Sequence, residues 1–217
     1  MNPAPPVTMA RTSSYPKPLM FVTFEGLDGS GKSTQADLLR EALVAEGRNV
    51  VATREPGGTD FGERVRELLL HGQELTPWAE AALFAAARTE LVARVIQPAL
   101  EGGADVVCDR YIDSSLAYQG IARGLGVDRV LELNLQATRG LLPDRTFLIL
   151  LDPNESARRA GDAPDRIERE GGDFRSAVDR AYRELASMFP KRVVALDGSK
   201  SARDLAVEIR GQVRDLS

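Results

Sequence analysis

The chain has 217 residues, enough for one α/β domain with a full core. Its 28 basic side chains face 32 acidic ones, a formal net charge of −4 that argues against bulk nucleic-acid or anionic-membrane binding but leaves room for a small anionic substrate met by local cations. One cysteine excludes an internal disulfide, one histidine excludes a His cluster for metal, and no apolar run approaches the ~18 residues of a spanning helix.

Residues 1–18 carry Pro3, Pro5, Pro6, Pro16 and Pro18, few large apolar groups and no apolar central region of a signal peptide. A disordered tail is expected there, with a single domain over 19–217. Met20–Phe24 reads as a buried strand. It enters Gly26-Leu27-Asp28-Gly29-Ser30-Gly31-Lys32-Ser33, which fits the phosphate-binding pattern G-x-x-x-x-G-K-[ST]. The glycines let successive backbone N–H groups converge, Lys32 adds a charge for β- and γ-phosphates, and the Ser33 hydroxyl can ligate Mg²⁺. Ser33–Leu43, with Thr34 in its first turn, reads as a helix that aims its positive end at the phosphates. A glycine-rich turn without ligand is the bland alternative, and the strand before and helix after speak against it.

Asn49–Thr53 is the next expected strand. It runs into Arg54-Glu55-Pro56-Gly57-Gly58-Thr59, where Pro and two glycines make a fixed loop that a ligand can approach closely. Phe61–Leu70 reads as a helix with His71 exposed near its end. Trp78–Leu100 reads as one long helix with Pro98 near its end. Phe84 and Arg88 share a face of it, so a ring can stack on a base while a guanidinium reaches the base edge. From spacing alone, the stronger reading is a core Phe84 and a solvated Arg88.

Asp105–Cys108 is a short apolar strand ending at Asp109-Arg110, with Cys108 a small buried hydrophobe. Asp109 can hold Mg²⁺ beside the phosphate loop, and Arg110 can fork onto phosphate oxygens. Ser114-Ser115-Leu116-Ala117-Tyr118-Gln119-Gly120 reads as a capped helix start in which the Gln119 amide can meet a base edge. A helix over Asp128–Thr138 and a buried strand over Phe147–Leu151 follow. Arg158, Arg159, Arg166 and Arg169 are interleaved with Gly161, Pro164, Gly171 and Gly172. They form either an arginine-rich flap at about 158–172, suited to neutralising a transferred phosphoryl group, or a solvated loop balanced by Asp162, Asp165, Glu168 and Glu170. Asp173–Met188 is helical, Val193–Leu196 a strand, and Ala202–Leu216 a closing helix. Apolar strands alternating with helices define an α/β fold: a five-stranded parallel sheet with helices on both faces, its ligands beyond the carboxyl ends of the strands.

Taken together, the runs Phe24–Ser33, Arg54–Thr59, Phe84 with Arg88, Asp109-Arg110-Tyr111 with Ser114–Gly120, and Asp165-Arg166-Ile167-Glu168 resemble bacterial thymidylate kinase, from about Leu19 to the C-terminus. The resemblance implies a P-loop nucleoside monophosphate kinase fold and a cytoplasmic homodimer that transfers the γ-phosphoryl of ATP to dTMP with Mg²⁺. It implies that Phe84 stacks on thymine, that Arg88 and Gln119 bond its edge, and that Asp28 approaches the sugar 3′-hydroxyl. Tyr118 would crowd a ribose hydroxyl. Ser114 and Ser115, with Glu55, border the same pocket. Arg54 and Arg110 would hold the dTMP phosphate, Arg159 would pack along adenine, and Arg166 and Arg169 would reach the transferred group. Lys32, Arg110, Arg166 and Arg169 are the catalytic residues so implied, with Ser33 and Asp109 for the metal. Some members carry an arginine inside the phosphate loop. Here Gly29 and Ser30 stand there, so the flap is the expected supply, although it is short between Arg159 and Asp165.

Three rivals share parts of this pattern. Another small-molecule kinase of the same fold is disfavoured for deoxynucleosides by Arg54 and Arg110, which need an acceptor phosphate. A GTP switch would need an Asn-Lys-x-Asp segment, and none is present. A non-catalytic nucleotide-binding module would not need Lys32, Ser33, Asp109 and the flap arginines together.

Overall fold

A computed structural model describes residues 19–160 and 165–216. The expected tail and Gly161, Asp162 and Pro164 of the arginine-rich stretch lie outside the described residues. Five strands form one parallel sheet in the order β2-β3-β1-β4-β5. They are β1 (Phe21–Glu25), β2 (Val50–Arg54), β3 (Asp105–Asp109), β4 (Arg145–Leu150) and β5 (Val193–Asp197). β1 is buried at all five positions, as a central parallel strand covered on both faces must be.

Alternate β1 side chains feed two cores. Phe21 packs with Leu91, Ile96, Val106, Tyr111, Tyr182 and Leu185 under α3 (Pro77–Leu91) and α8 (Gly172–Met188). Val22 and Phe24 face the other way, to Leu39, Leu43, Phe147, Leu205 and Ile209 under α1 (Lys32–Ala45) and α9 (Ala202–Arg214). A third cluster joins Val65, Leu69 and Leu70 of α2 (Asp60–His71) to Ala87 and Ile167. Cys108 is buried and His71 exposed.

The register decides what meets at the carboxyl edge. Phe24 and Arg54 both pair with Asp109, so the loops after β1, β2 and β3 leave the sheet level with one another. The phosphate loop, Glu55 and Arg110 are neighbours for that reason.

Two expected helices are interrupted. The Trp78–Leu100 segment is α3, then a π-helical stretch over Val92–Ile96, then α4 (Gln97–Glu101). Pro98 has no N–H to give the carbonyl four residues back, and a wider turn just before it absorbs that defect. The Ser114–Gly120 segment is the end of α5 (Ile112–Ser115) and most of a π-helical stretch over Leu116–Ala122, rather than a plain capped helix. The remaining helices are α6 (Val127–Thr138) and α7 (Pro153–Ala160), with a 3-10 turn at Glu168–Glu170.

Candidate active site

The loop between β1 and α1 curls through left-handed backbone that glycine tolerates. Gly26 has φ 141° and Gly29 φ 81°. A Cβ on Gly26 would stand 2.5 Å from the Ile149 carbonyl oxygen, and one on Gly29 2.3 Å from that of Ser156. The second contact is with α7, whose Ser156 hydroxyl also donates to the Asp28 carbonyl. The first helix of the arginine-rich stretch is therefore packed directly on the phosphate loop. At Gly29, α7 leaves no room for a side chain.

Asp28 lies between two cations. Lys32 Nζ and Arg110 Nη2 each donate to Asp28 Oδ1 at 2.7 Å. Burial opposes the Asp28 charge, but Arg110 and Lys32 outweigh it and hold the carboxyl well below the usual carboxylate range. Burial and neighbouring Arg110 push Lys32 down, with Asp28 and Asp109 opposing. Ser33 Oγ donates to Asp109 Oδ2, while the buried Asp109 Oδ1 has no partner. That orphaned oxygen, beside a hydroxyl at the end of β3, fits a hard cation with oxygen ligands. Among the described residues no group of three metal-type side chains exists, so most of the ligands of such a cation would be nucleotide phosphates and water.

Arg110 is itself in left-handed backbone, at φ 70°, which costs a residue with a Cβ about 1 kcal/mol. Surrounding groups over-determine that turn. Arg110 N–H bonds the Phe24 carbonyl, and the next N–H, of Tyr111, donates to the buried Glu25 Oε1 at 2.8 Å. Glu25 also accepts from Ser114 N–H, Ser114 Oγ at 2.6 Å and Tyr182 Oη at 2.8 Å. Ser114 Oγ and Tyr182 Oη in turn accept from Arg110 Nη1, both at 3.1 Å. Burial pushes the Glu25 carboxyl upward, helped by Asp113 and opposed by Arg110.

A cleft lined by aromatic, hydroxyl and charged side chains opens beside Asp28 and Arg110. One wall is Phe84, Tyr118, Gln119, Ser114 and Ser115. Glu55, Pro56, Arg66 and Leu70 form another, and Asp165 and Ile167 close the rim. A second cavity beyond β4 and β5 is lined by Asp152, Glu155, Arg159 and Ser199, with Arg159 donating to Glu155 at 2.7 Å. The structure thus brings Asp28, Glu55, Phe84, Arg110, Ser114, Ser115, Tyr118 and Gln119 to one cavity, Lys32 to its Asp28 edge, and Arg159 to a separate one.

Four of the expected arginines are not among the residues lining the cavity beside Asp28. Arg88 is 1% exposed, not a solvated face, and is not among the residues lining the cavity. Its guanidinium lies behind the wall, bonded to Glu55, Ser115, Asn134 and the Tyr111 carbonyl. Burial with so many acceptors makes it the brace of two lining residues. Arg54 is outside the cavity as well, donating to both oxygens of Glu63 at 3.0 Å. Arg166 does not face the phosphate loop. It is buried, donating to the Leu69 carbonyl at 2.7 Å and to Glu80 Oε2 at 2.6 Å. Arg169 shares a polar cleft with Arg123, Arg166 and Glu170 on that same side. The physical reason is Glu80, a buried carboxylate on α3 that attracts this segment.

Glu25 lies in the Phe24–Ser33 run that the sequence singles out, without a role of its own; Arg66, Glu80 and Tyr182 are missed. Arg66 and Tyr182 stand on amphipathic helices, and Glu80 in the first turn of a largely apolar one, where spacing does not separate an inward polar residue from a solvated one.

A phosphate loop on the middle strand of a parallel sheet, with a cleft beside it lined by residues that follow β2 and β3, defines a P-loop fold of the nucleoside monophosphate kinase type. Comparison with known proteins narrows the class. The family model described as Thymidylate kinase matches residues 24–209. A thymidylate kinase of Bifidobacterium longum (strain DJO10A) is 47% identical over 203 residues, covering 91% of this chain and 98% of that protein. One from Leifsonia xyli subsp. xyli is 49% identical over 198 residues, covering 89% and 94%. The crystal structure of thymidylate kinase from Ehrlichia chaffeensis superposes with a TM-score of 0.74 at 34% identity, covering 90% of this chain and 98% of that one. The chain belongs to the thymidylate kinase family.

Proposed function

We infer that this protein transfers the γ-phosphoryl group of ATP to dTMP, giving dTDP and ADP. The observation that carries the reading is the Lys32–Asp28–Arg110 bridge, with the phosphate-loop cation on one side and the acceptor-side cation on the other. The two groups that would each hold a phosphate are one carboxylate apart. Phosphoryl transfer asks the protein mainly for positioning and charge neutralisation, and that juxtaposition supplies both.

Before substrates arrive, Asp28 neutralises both cations. An ATP phosphate then takes over Lys32, and the acceptor phosphate takes over Arg110. Asp28 is left to the sugar hydroxyl. Arg110 arrives pre-aimed, because Glu25, Ser114 and Tyr182 fix its backbone and head group. Phe84 and Tyr118 supply flat faces for the base and sugar, and Gln119 supplies an amide for the base edge. The acceptor phosphate is already ionised, so no side chain has to act as general base. Mg²⁺ fits Ser33 and Asp109, and when bound it would neutralise charge on the β- and γ-phosphate oxygens. Arg159 belongs to the nucleotide side, next to the phosphate loop it packs on.

The same reading includes a homodimer, working in the cytoplasm where ATP and dTMP are available. Phe61 and Leu68, one face of α2, are 45% and 55% exposed, and Trp78 at the start of α3 is 40% exposed. Exposed apolar side chains of this size suit a self-complementary contact.

The test is ADP release measured with a panel of nucleoside monophosphates. dTMP should show the highest kcat/KM. A higher value for another monophosphate would replace this reading.

A further inference from the structure

Glu80 lies in the first turn of α3 and is completely buried, and it does not itself line the cavity beside Asp28. Its carboxylate gathers donors from three residues on two separate segments, Gln119 and Arg123 on the Leu116–Ala122 stretch and its cap and Arg166 beyond α7. Gln119 Nε2 donates to Oε1 at 2.8 Å. Arg123 donates through Nε to Oε1 at 2.7 Å and through Nη2 to Oε2 at 3.0 Å. Arg166 Nη2 donates to Oε2 at 2.6 Å. Four donors meet a group with about four lone-pair positions, so the carboxylate is saturated. Burial would push its pKa up, but the hydrogen bonds from Arg123, Arg166 and Gln119 outweigh that and keep it ionised. Arg123 also bonds Glu170, which ties the 165–170 segment to the same point.

The consequence falls on Gln119. An ionised carboxylate can only accept, so only the NH₂ end of the Gln119 amide can face it. The amide oxygen is then the end left for the cavity that Gln119 lines. Thymine carries an N–H donor at N3, where cytosine carries a lone pair. An amide oxygen pairs with the first and repels the second.

We propose that Glu80 is a positioning residue for base selection: by holding the NH₂ of Gln119, it turns the amide oxygen to the cavity and so favours pyrimidines with an N3 donor. Arg123 and Arg166 serve this by keeping Glu80 charged. The proposal rests on the reading that Gln119 meets the base edge, and the test separates the two.

The test is kcat/KM for dTMP and for dCMP in the full chain and in Gln119→Ala, Glu80→Gln, Glu80→Asp and the Gln119→Ala/Glu80→Gln double variant, with thermal midpoints alongside. A glutamine at position 80 can present either end of its amide, so both orientations of Gln119 become available. Glu80→Gln should lower the dTMP-to-dCMP ratio at least about tenfold, mainly through KM for dTMP. Glu80→Asp, which can only accept, should keep the ratio even if its midpoint falls. Glu80→Gln should have no further effect on the ratio once Gln119 is Ala. The inference is overturned if Gln119→Ala lowers the ratio while Glu80→Gln changes only the midpoint, or if Glu80→Asp loses discrimination. If Gln119→Ala itself leaves the ratio unchanged, the assignment of Gln119 to the base edge fails and takes the inference with it.

Discussion

Glu55 has one carboxylate oxygen on Arg88 and the other buried without a partner at the cavity wall. Burial, only partly offset by Arg88, pushes its pKa from 4.5 to about 7. Between those values the folded chain holds a proton that the unfolded chain has lost, so the contribution of Glu55 to stability is full below about pH 4.5 and falls as pH rises through about 7, by about 3 kcal/mol. Glu55→Gln keeps the shape and removes the titration. Its thermal midpoint should gain on wild type as pH is raised from about 5 to about 8, and parallel pH profiles would show that Glu55 titrates normally. Phe84 raises a second question at this scale. Stacking on a base is worth about 1–3 kcal/mol, so Phe84→Ala should raise KM for dTMP roughly ten- to hundredfold and leave KM for ATP nearly unchanged. A rise confined to ATP would mean the two cavities are assigned the wrong way round.

The contacts between elements make different demands. α7 rests on the phosphate loop at Gly29, where φ is 81° and a Cβ would meet the Ser156 carbonyl at 2.3 Å. Gly29→Ala must either strain the loop or lift α7. Strain of about 1–2 kcal/mol should appear as a KM for ATP raised about tenfold, with KM for dTMP little changed. Unaltered ATP kinetics would mean that α7 is not part of the nucleotide side. The 165–170 segment docks elsewhere, on Glu80 and the α2 carbonyls. Arg166→Ala removes one partner of a buried ion pair, so the expected loss is about 3 kcal/mol of stability. A normal midpoint with kcat collapsed by about a thousandfold would instead identify Arg166 as the arginine that meets the transferred group.

For the whole molecule, the question is what the domain needs in order to stand. β1 is anchored at its start, because the Met20 N–H donates to the buried Asp105 at 3.1 Å and the Phe21 N–H to Asp144 at 2.7 Å. We therefore propose that a chain beginning at Leu19 keeps its thermal midpoint and kcat. A drop in either would show that residues 1–18 pack on the domain. The proposed dimer contact is tested by Leu68→Asp, which places a charge in an apolar patch. Sedimentation should report a monomer for the variant and a dimer for the wild type, and a monomeric wild type would remove the dimer from the reading.

Read alone, the sequence determined the order and type of most elements, the parallel sheet and the phosphate loop. Those features are local: apolar runs of strand length, helical periods, and a glycine spacing that acts over eight residues. It also pointed to Arg110, through its place just after a buried strand, and to Phe84, Tyr118 and Gln119, through the family resemblance rather than through spacing. Tertiary structure decided where each arginine goes. Arg54, Arg88, Arg110 and Arg166 look alike as sequence, each a long cation near a loop or helix face. Their directions are set by which carboxylate stands nearest in space: Glu63 for Arg54, Glu55 for Arg88, Asp28 for Arg110 and Glu80 for Arg166. Two of those acids, Glu55 and Glu80, lie 33 and 86 residues from the arginine they hold, and no local pattern reports a partner at that distance.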